Sequence, residues 1–203
     1  MVPHSFCVLR GSRYICPMMI RVRDILNSAV AAALTLTATS VAAQDQGRLT
    51  DLLGLLAQPD NAGWRRVERQ VVTEWSKSGS PSMDLLLQRG RDAMAEGDTD
   101  AAIEHLTALT DHAPDFAEGW NARATALFRA GKYGPAMEDL SRVLALNPSH
   151  FGALAGVGAI LEETGNKKAA LTAYKAALAI HPHLEKVSEA VKRLERDLSG
   201  QQV

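Results

Sequence analysis

Three prolines recur at a constant interval of 34 residues in the second half of the chain: Pro114, Pro148 and Pro182. Three alanines and three glycines keep the same interval: Ala102, Ala136 and Ala170, and Gly97, Gly131 and Gly165. A fixed period of about 34 residues is typical of a solenoid of helix–turn–helix units. We therefore predict an all-α region over 83–182, divided into repeats at 83–116, 117–150 and 151–184.

The composition favours helices and argues against several classes of function. Alanine and leucine, which both favour helix, dominate the chain, and aromatic residues make up only 5%. The formal net charge is −1, so the sequence lacks the basic excess that nucleic-acid binding requires. The only cysteines are Cys7 and Cys16, so we expect no disulfide framework and no cysteine-based metal site in the body of the protein.

Residues 19–43 show the order of features found in a secretory signal peptide. Arg21 and Arg23 form a positive start, residues 28–40 are small and apolar, and small residues lead up to Ala43. The sequence therefore predicts a signal peptide over 1–43, cleavage after Ala43, and a periplasmic or secreted product. A membrane anchor is the alternative, but the apolar run is shorter than the ~20 residues of a spanning helix. We expect no stable membrane span after cleavage.

The first 18 residues show neither a helical nor a strand period. This favours a translation start at Met18 or Met19 rather than at Met1, with 1–18 an artefact of the assigned start. Both cysteines are then absent from the product.

Residues 44–82 predict a helical hairpin that precedes the repeats. Leucines cluster between positions 49 and 56, and an apolar helical face follows, formed by Trp64, Val67, Val71 and Trp75. We interpret this segment as a degenerate first hairpin that caps the solenoid in front of residue 83. The alternative is a separate arm that binds a partner through Trp64 and Trp75.

Each repeat divides into a first helix, a glycine turn and a second helix. We expect small residues of the first helix (Gly90, Ala124 and Gly158) to face the alanines of the second (Ala102, Ala136 and Ala170), so that the two axes approach closely. Proline ends each second helix, because it lacks an N–H group and disfavours helix for the residue before it.

With these positions in register, the chain resembles a tetratricopeptide repeat protein. The second repeat carries the family's large, small and proline positions at Trp120, Ala124, Leu127, Ala136, Leu140 and Pro148. Arg123 departs from the pattern, where the family has an apolar residue. The resemblance covers about 100 residues and implies a helical-hairpin solenoid that binds a protein or peptide in its concave groove.

The resemblance also implies which side chains face that groove. Those with binding chemistry are Arg91, Asn121, Thr125, Phe128 and Glu162. The alternative is that Phe128 only fills the space between repeats and that Arg91 is solvated. Some family members hold a C-terminal carboxylate with basic and amide side chains, but four of those five positions here are Leu87, Ala122, Gly152 and Gly156. Binding of chaperone tails by such a clamp is therefore disfavoured.

The C-terminal segment 183–203 predicts an amphipathic helix whose apolar residues recur every three or four positions. A solenoid needs a terminal helix with a polar outer face to cover its last apolar surface, so we interpret this helix as a cap. A dimerisation helix is the alternative, and the sequence does not specify the oligomeric state.

No catalytic constellation emerges from the sequence. The five histidines beyond the predicted signal are expected to be solvated or to cap helices: His105, His112, His150, His181 and His183. The carboxylates of Glu138, Asp139, Glu162 and Glu163 are expected to be solvated. We therefore predict a scaffold that is not an enzyme and has no cofactor or metal. The alternatives are an assembly factor for the envelope or for exported cytochromes, acting through its outer face or the N-terminal hairpin, and an unrecognised hydrolase or metal enzyme.

Overall fold

The structure, a computed structural model, describes residues 47–200. The predicted signal peptide over 1–43, the candidate starts Met18 and Met19, and both cysteines lie outside the described residues.

The described chain is all-α, with nine helices between residues 47 and 200. They are α1 (47–56), α2 (Trp64–Trp75), α3 (Pro81–Glu96), α4 (Thr99–His112), α5 (Ala117–Arg129), α6 (Tyr133–Leu146), α7 (Phe151–Glu163), α8 (Lys167–Ile180) and α9 (Glu185–Gly200). Helices α3 with α4, α5 with α6, and α7 with α8 form three hairpins, and each second helix packs on the first helix of the next repeat. The predicted helical-hairpin solenoid is confirmed.

Local sequence explains where the helices end. The residues before the three prolines are non-helical, with φ/ψ of −132°/67° at Ala113, −140°/90° at Asn147 and −135°/86° at His181. Glycine occupies the left-handed conformation in each turn within a repeat, as at Gly97 with φ 84°. Helix α3 begins at Pro81, two residues before the predicted repeat boundary, because proline suits the first turn of a helix.

The small residues of the first helices make room for large side chains, not for the alanines expected opposite them. A Cβ added at Gly158 would lie 2.5 Å from the Tyr174 ring, and one added at Gly90 would lie 2.5 Å from Leu106. Ala102 and Ala170 are buried in the same cores. The glycines of the first and third repeats therefore allow the two helices of each pair to enclose one bulky side chain.

The N-terminal hairpin, formed by α1 and α2, is helical as predicted but does not cap the front of the first repeat. Its buried side chains, Leu52, Leu56 and Val71, cluster with Phe151 of the third repeat, and Ile180 and Leu184 pack against the cluster. The exposed face of α3 is largely polar, with Gln88, Arg89, Asp92 and Glu96, although Leu85 is 51% exposed on it. The first repeat therefore offers the hairpin less apolar surface than the edge of the third.

Helix α9 packs on α8 and closes the far end of the solenoid. Ala190, Val191 and Leu194 are buried with Ala170 and Tyr174. This arrangement confirms the predicted capping helix. Among residues 47–200, no helix is both long enough and apolar enough to cross a bilayer.

One carboxylate that was expected to be solvated is buried. Asp139 is only 4% exposed, and its two oxygens accept hydrogen bonds of 2.7 Å from Nε and Nη2 of Arg123. Arg123 also donates to Thr110 Oγ1 at 2.9 Å, and its guanidinium lies over the Trp120 ring. The hydrogen bonds to Asp139 raise the pKa of Arg123 above its ordinary value. The expectation for Asp139 is wrong because Arg123, the departure from the family pattern, supplies its partner.

Candidate functional site

The first helices of the three repeats form one continuous face. Helix α3 contacts α5, and α5 contacts α7, in addition to their own hairpin partners. Side chains that point away from α4, α6 and α8 therefore line a common surface, the concave groove.

The clearest opening in this groove lies between α5 and α7 and has a volume of about 150 Å³. Phe128, Thr125 and Asn121 of α5 line one side of it. The residues of α7 that line the other side are mostly small: Gly152, Gly156, Ala159 and Ile160. Because these side chains are short, the cleft is deep enough to accept a side chain from outside.

Polar atoms occur beside this apolar floor. Thr125 Oγ1 donates to the Asn121 carbonyl at 3.0 Å, and Asn121 Nδ2 donates to Glu118 at 3.3 Å. The amide oxygen of Asn121 accepts no hydrogen bond from the described residues. An acceptor of this kind suits the N–H groups of an extended peptide.

A second cleft of about 170 Å³ lies between α3 and α5. Arg91, Met94, Asn121, Thr125 and Arg129 are among its lining residues. Because Asn121 and Thr125 line both clefts, the two openings lie on either side of α5. The structure therefore brings four of the five predicted groove residues together: Arg91, Asn121, Thr125 and Phe128.

Arg91 already has partners within the chain. Its guanidinium donates to Glu118 and to Ser76 Oγ, the latter at 3.2 Å from both terminal nitrogens. Glu118 is 7% exposed, so the pair is partly withdrawn from water. Arg91 is therefore partly exposed but is already paired with a carboxylate of the chain.

The network continues from Glu118 to His150. His150 Nδ1 accepts from the Ala153 N–H at 3.1 Å and so caps α7, as the histidines were expected to do. The Nε2 atom must then carry the proton, and it donates to Glu118 Oε2 at 3.0 Å. The ring of Trp75 stacks on His150 with centroids 4.5 Å apart. The sequence gives no local signal for this network, because its hydrogen bonds join residues 15 to 32 positions apart.

The N-terminal hairpin lies along the edge of the groove where the first helices begin. Trp75 contacts His150 before α7, while Trp64 stacks on His183 before α9 with centroids 4.9 Å apart. His183 Nε2 donates to the Gln58 carbonyl at 3.1 Å. Both tryptophans therefore face the repeats, which disfavours the interpretation of the hairpin as a free arm that binds through them.

Glu162, the fifth predicted groove residue, lies away from both clefts. Its carboxylate accepts from the Tyr174 hydroxyl at 3.1 Å and from Arg193 of α9 at 2.7 Å. Burial, followed by the contact with Glu162, raises the pKa of Tyr174. Glu162 thus joins the third repeat to α9, and the expectation that it is simply solvated is wrong.

The described residues contain no group of three or more histidine, cysteine or acidic side chains placed to hold a metal ion. The histidines are also not uniformly exposed: His181 is completely buried, against expectation. The sequence missed it because the hairpin that covers it is more than 100 residues away.

The family is shown by comparison with known proteins. A sequence model of the tetratricopeptide repeat matches residues 87–140 and 121–185. A TPR repeat-containing protein of Rhizobium etli is 38% identical over 142 residues, which make up 70% of this chain and 69% of that protein.

Solved structures share the fold. The first TPR of Spaghetti (RPAP3), bound to the HSP90 peptide SRMEEVD, has a TM-score of 0.56 and 25% identity, and the match covers 58% of this chain and 93% of that one. MamA has a TM-score of 0.55 and 21% identity, with 68% of this chain and 85% of that one covered. This chain belongs to the tetratricopeptide repeat family.

Proposed function

We propose that this chain is a non-catalytic scaffold that binds an extended segment of a protein or peptide in the cleft between α5 and α7. The observation that carries the proposal is the cleft itself, with an apolar floor at Gly152, Gly156 and Ala159 beside the Phe128 ring. An apolar side chain of the partner fills this space, and its backbone N–H groups meet the free oxygen of Asn121. The peptide bound to the first TPR of Spaghetti supports peptide binding by a domain of this fold.

The partner segment differs from a C-terminal chaperone tail. Among the positions of the carboxylate clamp, Leu87 is buried in the core, and Gly152 and Gly156 have no side chain to donate. Arg91, a basic residue of the groove, is held by Glu118. The groove therefore favours an internal, apolar segment over a free carboxylate.

We also propose that the protein is exported to the periplasm. Arg21, Arg23 and the small residues before Gln44 support this proposal, because they have the order of a cleaved signal peptide. We expect N-terminal sequencing of the protein from its native cell to begin at Gln44. A sequence that begins at Met1, Met18 or Met19 would contradict the cleaved signal.

A bulky residue in the cleft is expected to weaken peptide binding. Peptides selected on the wild-type protein from a random display library serve as ligands, with affinity measured by fluorescence anisotropy. Ala159→Trp fills the cleft, so we expect affinity to fall at least tenfold, equivalent to about 1.4 kcal/mol. Phe128→Ala removes one wall and is expected to cost a similar amount.

The matched control is Ala145→Trp, which places the same residue on an exposed position of α6. Its affinity should equal that of the wild type, and circular dichroism should show all three variants equally helical. Selected peptides that bind Ala159→Trp as tightly as the wild type would show that the cleft is not the site.

A further inference from the structure

His181 lies at the centre of the contact between the N-terminal hairpin and the third repeat. Its side chain is 0% exposed. The ring meets Trp64 of α2 edge-on with centroids 5.5 Å apart, and Phe151 of α7 edge-on at 4.9 Å. These rings form a cage that excludes water from the imidazole.

The cage offers little to a charged imidazole. Neither ring nitrogen makes a hydrogen bond with the described residues. Nε2 lies 3.4 Å from Glu68 Oε1, which provides attraction without a hydrogen bond, and Nδ1 faces no acceptor. The ring of His183 lies 5.9 Å away. The other charged groups of the adjoining cleft are Arg65, Glu185 and Lys186. A second proton on His181 would therefore place an N–H group in the contact without a partner.

The hairpin is joined to the repeats in a way that permits its release. Helices α3 to α9 pack on one another in sequence, whereas the hairpin meets only the edge of the repeats. Val71 and the α1 leucines pack with Phe151 there, and Trp64 and Trp75 stack on histidines. The connection to α3 runs through residues 76–80 and includes Gly79 at a φ of 81°. The hairpin can thus separate while the hairpins of the repeats remain intact.

We propose that the N-terminal hairpin is a pH-controlled cover, which protonation of His181 releases from the third repeat. Release uncovers Phe151, Ile180 and Leu184, which form an apolar surface next to the groove. It also breaks the contact between Ser76 and Arg91, which leaves Arg91 paired with Glu118 alone. The inference concerns the hairpin alone and stands whether or not the groove binds a peptide.

The direction of the pH effect follows from the burial of His181. Burial lowers the pKa of His181 below its ordinary value of 6.5; Glu68 opposes this shift, and His183 adds to it. Because the covered state has the lower pKa, its stability is complete above about pH 6.5 and declines as the pH falls towards the pKa of the covered state. The ratio of covered to released protein falls by up to about tenfold per pH unit within that interval.

Hydrogen exchange of the full chain, measured by mass spectrometry, tests the proposal. Protection of residues 64–75, corrected for intrinsic exchange rates, is compared at about pH 7.5 and about pH 5.5. We expect protection of α2 to fall severalfold at the lower pH while that of α5 to α8 is retained. Equal protection of α2 at both pH values, or an equal loss throughout the chain, would overturn the proposal.

Two variants separate His181 from other titrating groups. His181→Phe keeps an aromatic ring but cannot be protonated, so we expect its α2 protection to be independent of pH. The same substitution at exposed His112 should leave the pH response unchanged. If His181→Phe keeps the response, His181 is not the switch.

Glu68→Gln provides a second, independent test of the assignment to His181. It remains informative if His181→Phe disturbs the repeats at neutral pH. Removing the carboxylate removes the attraction to the charged ring, so we expect a larger loss of α2 protection at about pH 5.5 than in the wild type. A smaller loss would identify Glu68 itself as the titrating group and would overturn the assignment to His181.

Discussion

Asp139→Ala is expected to lower the free energy of unfolding by about 3–5 kcal/mol, the typical cost of removing one partner from a buried ion pair. The side chains of Asp139 and Arg123 are 5% and 17% exposed. Without Asp139, the guanidinium keeps Thr110 as its hydrogen-bond acceptor but loses the carboxylate with which it is paired. Urea denaturation followed by circular dichroism measures the loss.

The exposed pair of Lys175 and Glu195 is the matched control, because its atoms are also 2.7 Å apart while both side chains are about half exposed. We expect Glu195→Ala to cost about 0–1 kcal/mol. The double variant Arg123→Leu with Asp139→Leu should recover much of the loss, since apolar residues often replace a buried pair at little cost. Equal losses for Asp139→Ala and Glu195→Ala would show that burial of the pair is unimportant.

Gly158→Ala is expected to lower the free energy of unfolding by about 1–3 kcal/mol, the cost of overpacking a filled core. The new methyl group would lie 2.5–2.9 Å from three atoms of the Tyr174 ring. The ring cannot withdraw freely, because it is buried and its hydroxyl donates to Glu162. This cost exceeds the ~0.5–1 kcal/mol of helix stability by which alanine is favoured over glycine within a helix. Urea denaturation again measures the change.

Gly134→Ala is the control for the same substitution, since a Cβ at this helical glycine meets nothing within 4 Å. It should be neutral or stabilising. Tyr174→Leu should lower the free energy of unfolding less in the Gly158→Ala protein than in the wild type, because the smaller side chain relieves the clash. A Gly158→Ala protein as stable as the wild type would show that the ring does not fill this space.

The repeats were predictable because their signals are local. Proline acts on the residue before it, and glycine provides the left-handed conformation at its own position, so Pro114, Pro148 and Gly97 mark ends that short-range physics determines. The groove face was implied by the resemblance to the family, and the structure places Asn121, Thr125 and Phe128 along one cleft.

The contacts of the N-terminal hairpin were not predictable in the same way. The apolar face of α2 indicated that this helix packs against another part of the protein, but it did not indicate which repeat. Its position depends on Phe151 and His181, which are about 75 to 120 residues away in sequence. The hydrogen bond between Arg91 and Ser76 depends on where the hairpin packs. The sequence therefore could not show that Arg91 has a partner in the hairpin.

The Arg123–Asp139 pair was partly predictable from the sequence. Arg123 was visible as a charged residue at an apolar position of the family pattern. A charge at such a position requires a partner, and Asp139 is on the helix that pairs with α5. The sequence contained both residues, but only the geometry of the hairpin joins them.

Site-specific photo-crosslinking in the native cell tests the central claim, that the groove holds a partner segment. A benzophenone amino acid is placed at Thr125, which lines the groove, or at Ser141, which is equally exposed on α6. We predict a discrete adduct from position 125 that disappears when Ala159→Trp fills the cleft, and none from position 141. Adducts that form equally from both positions, or that persist with Ala159→Trp, would contradict the account.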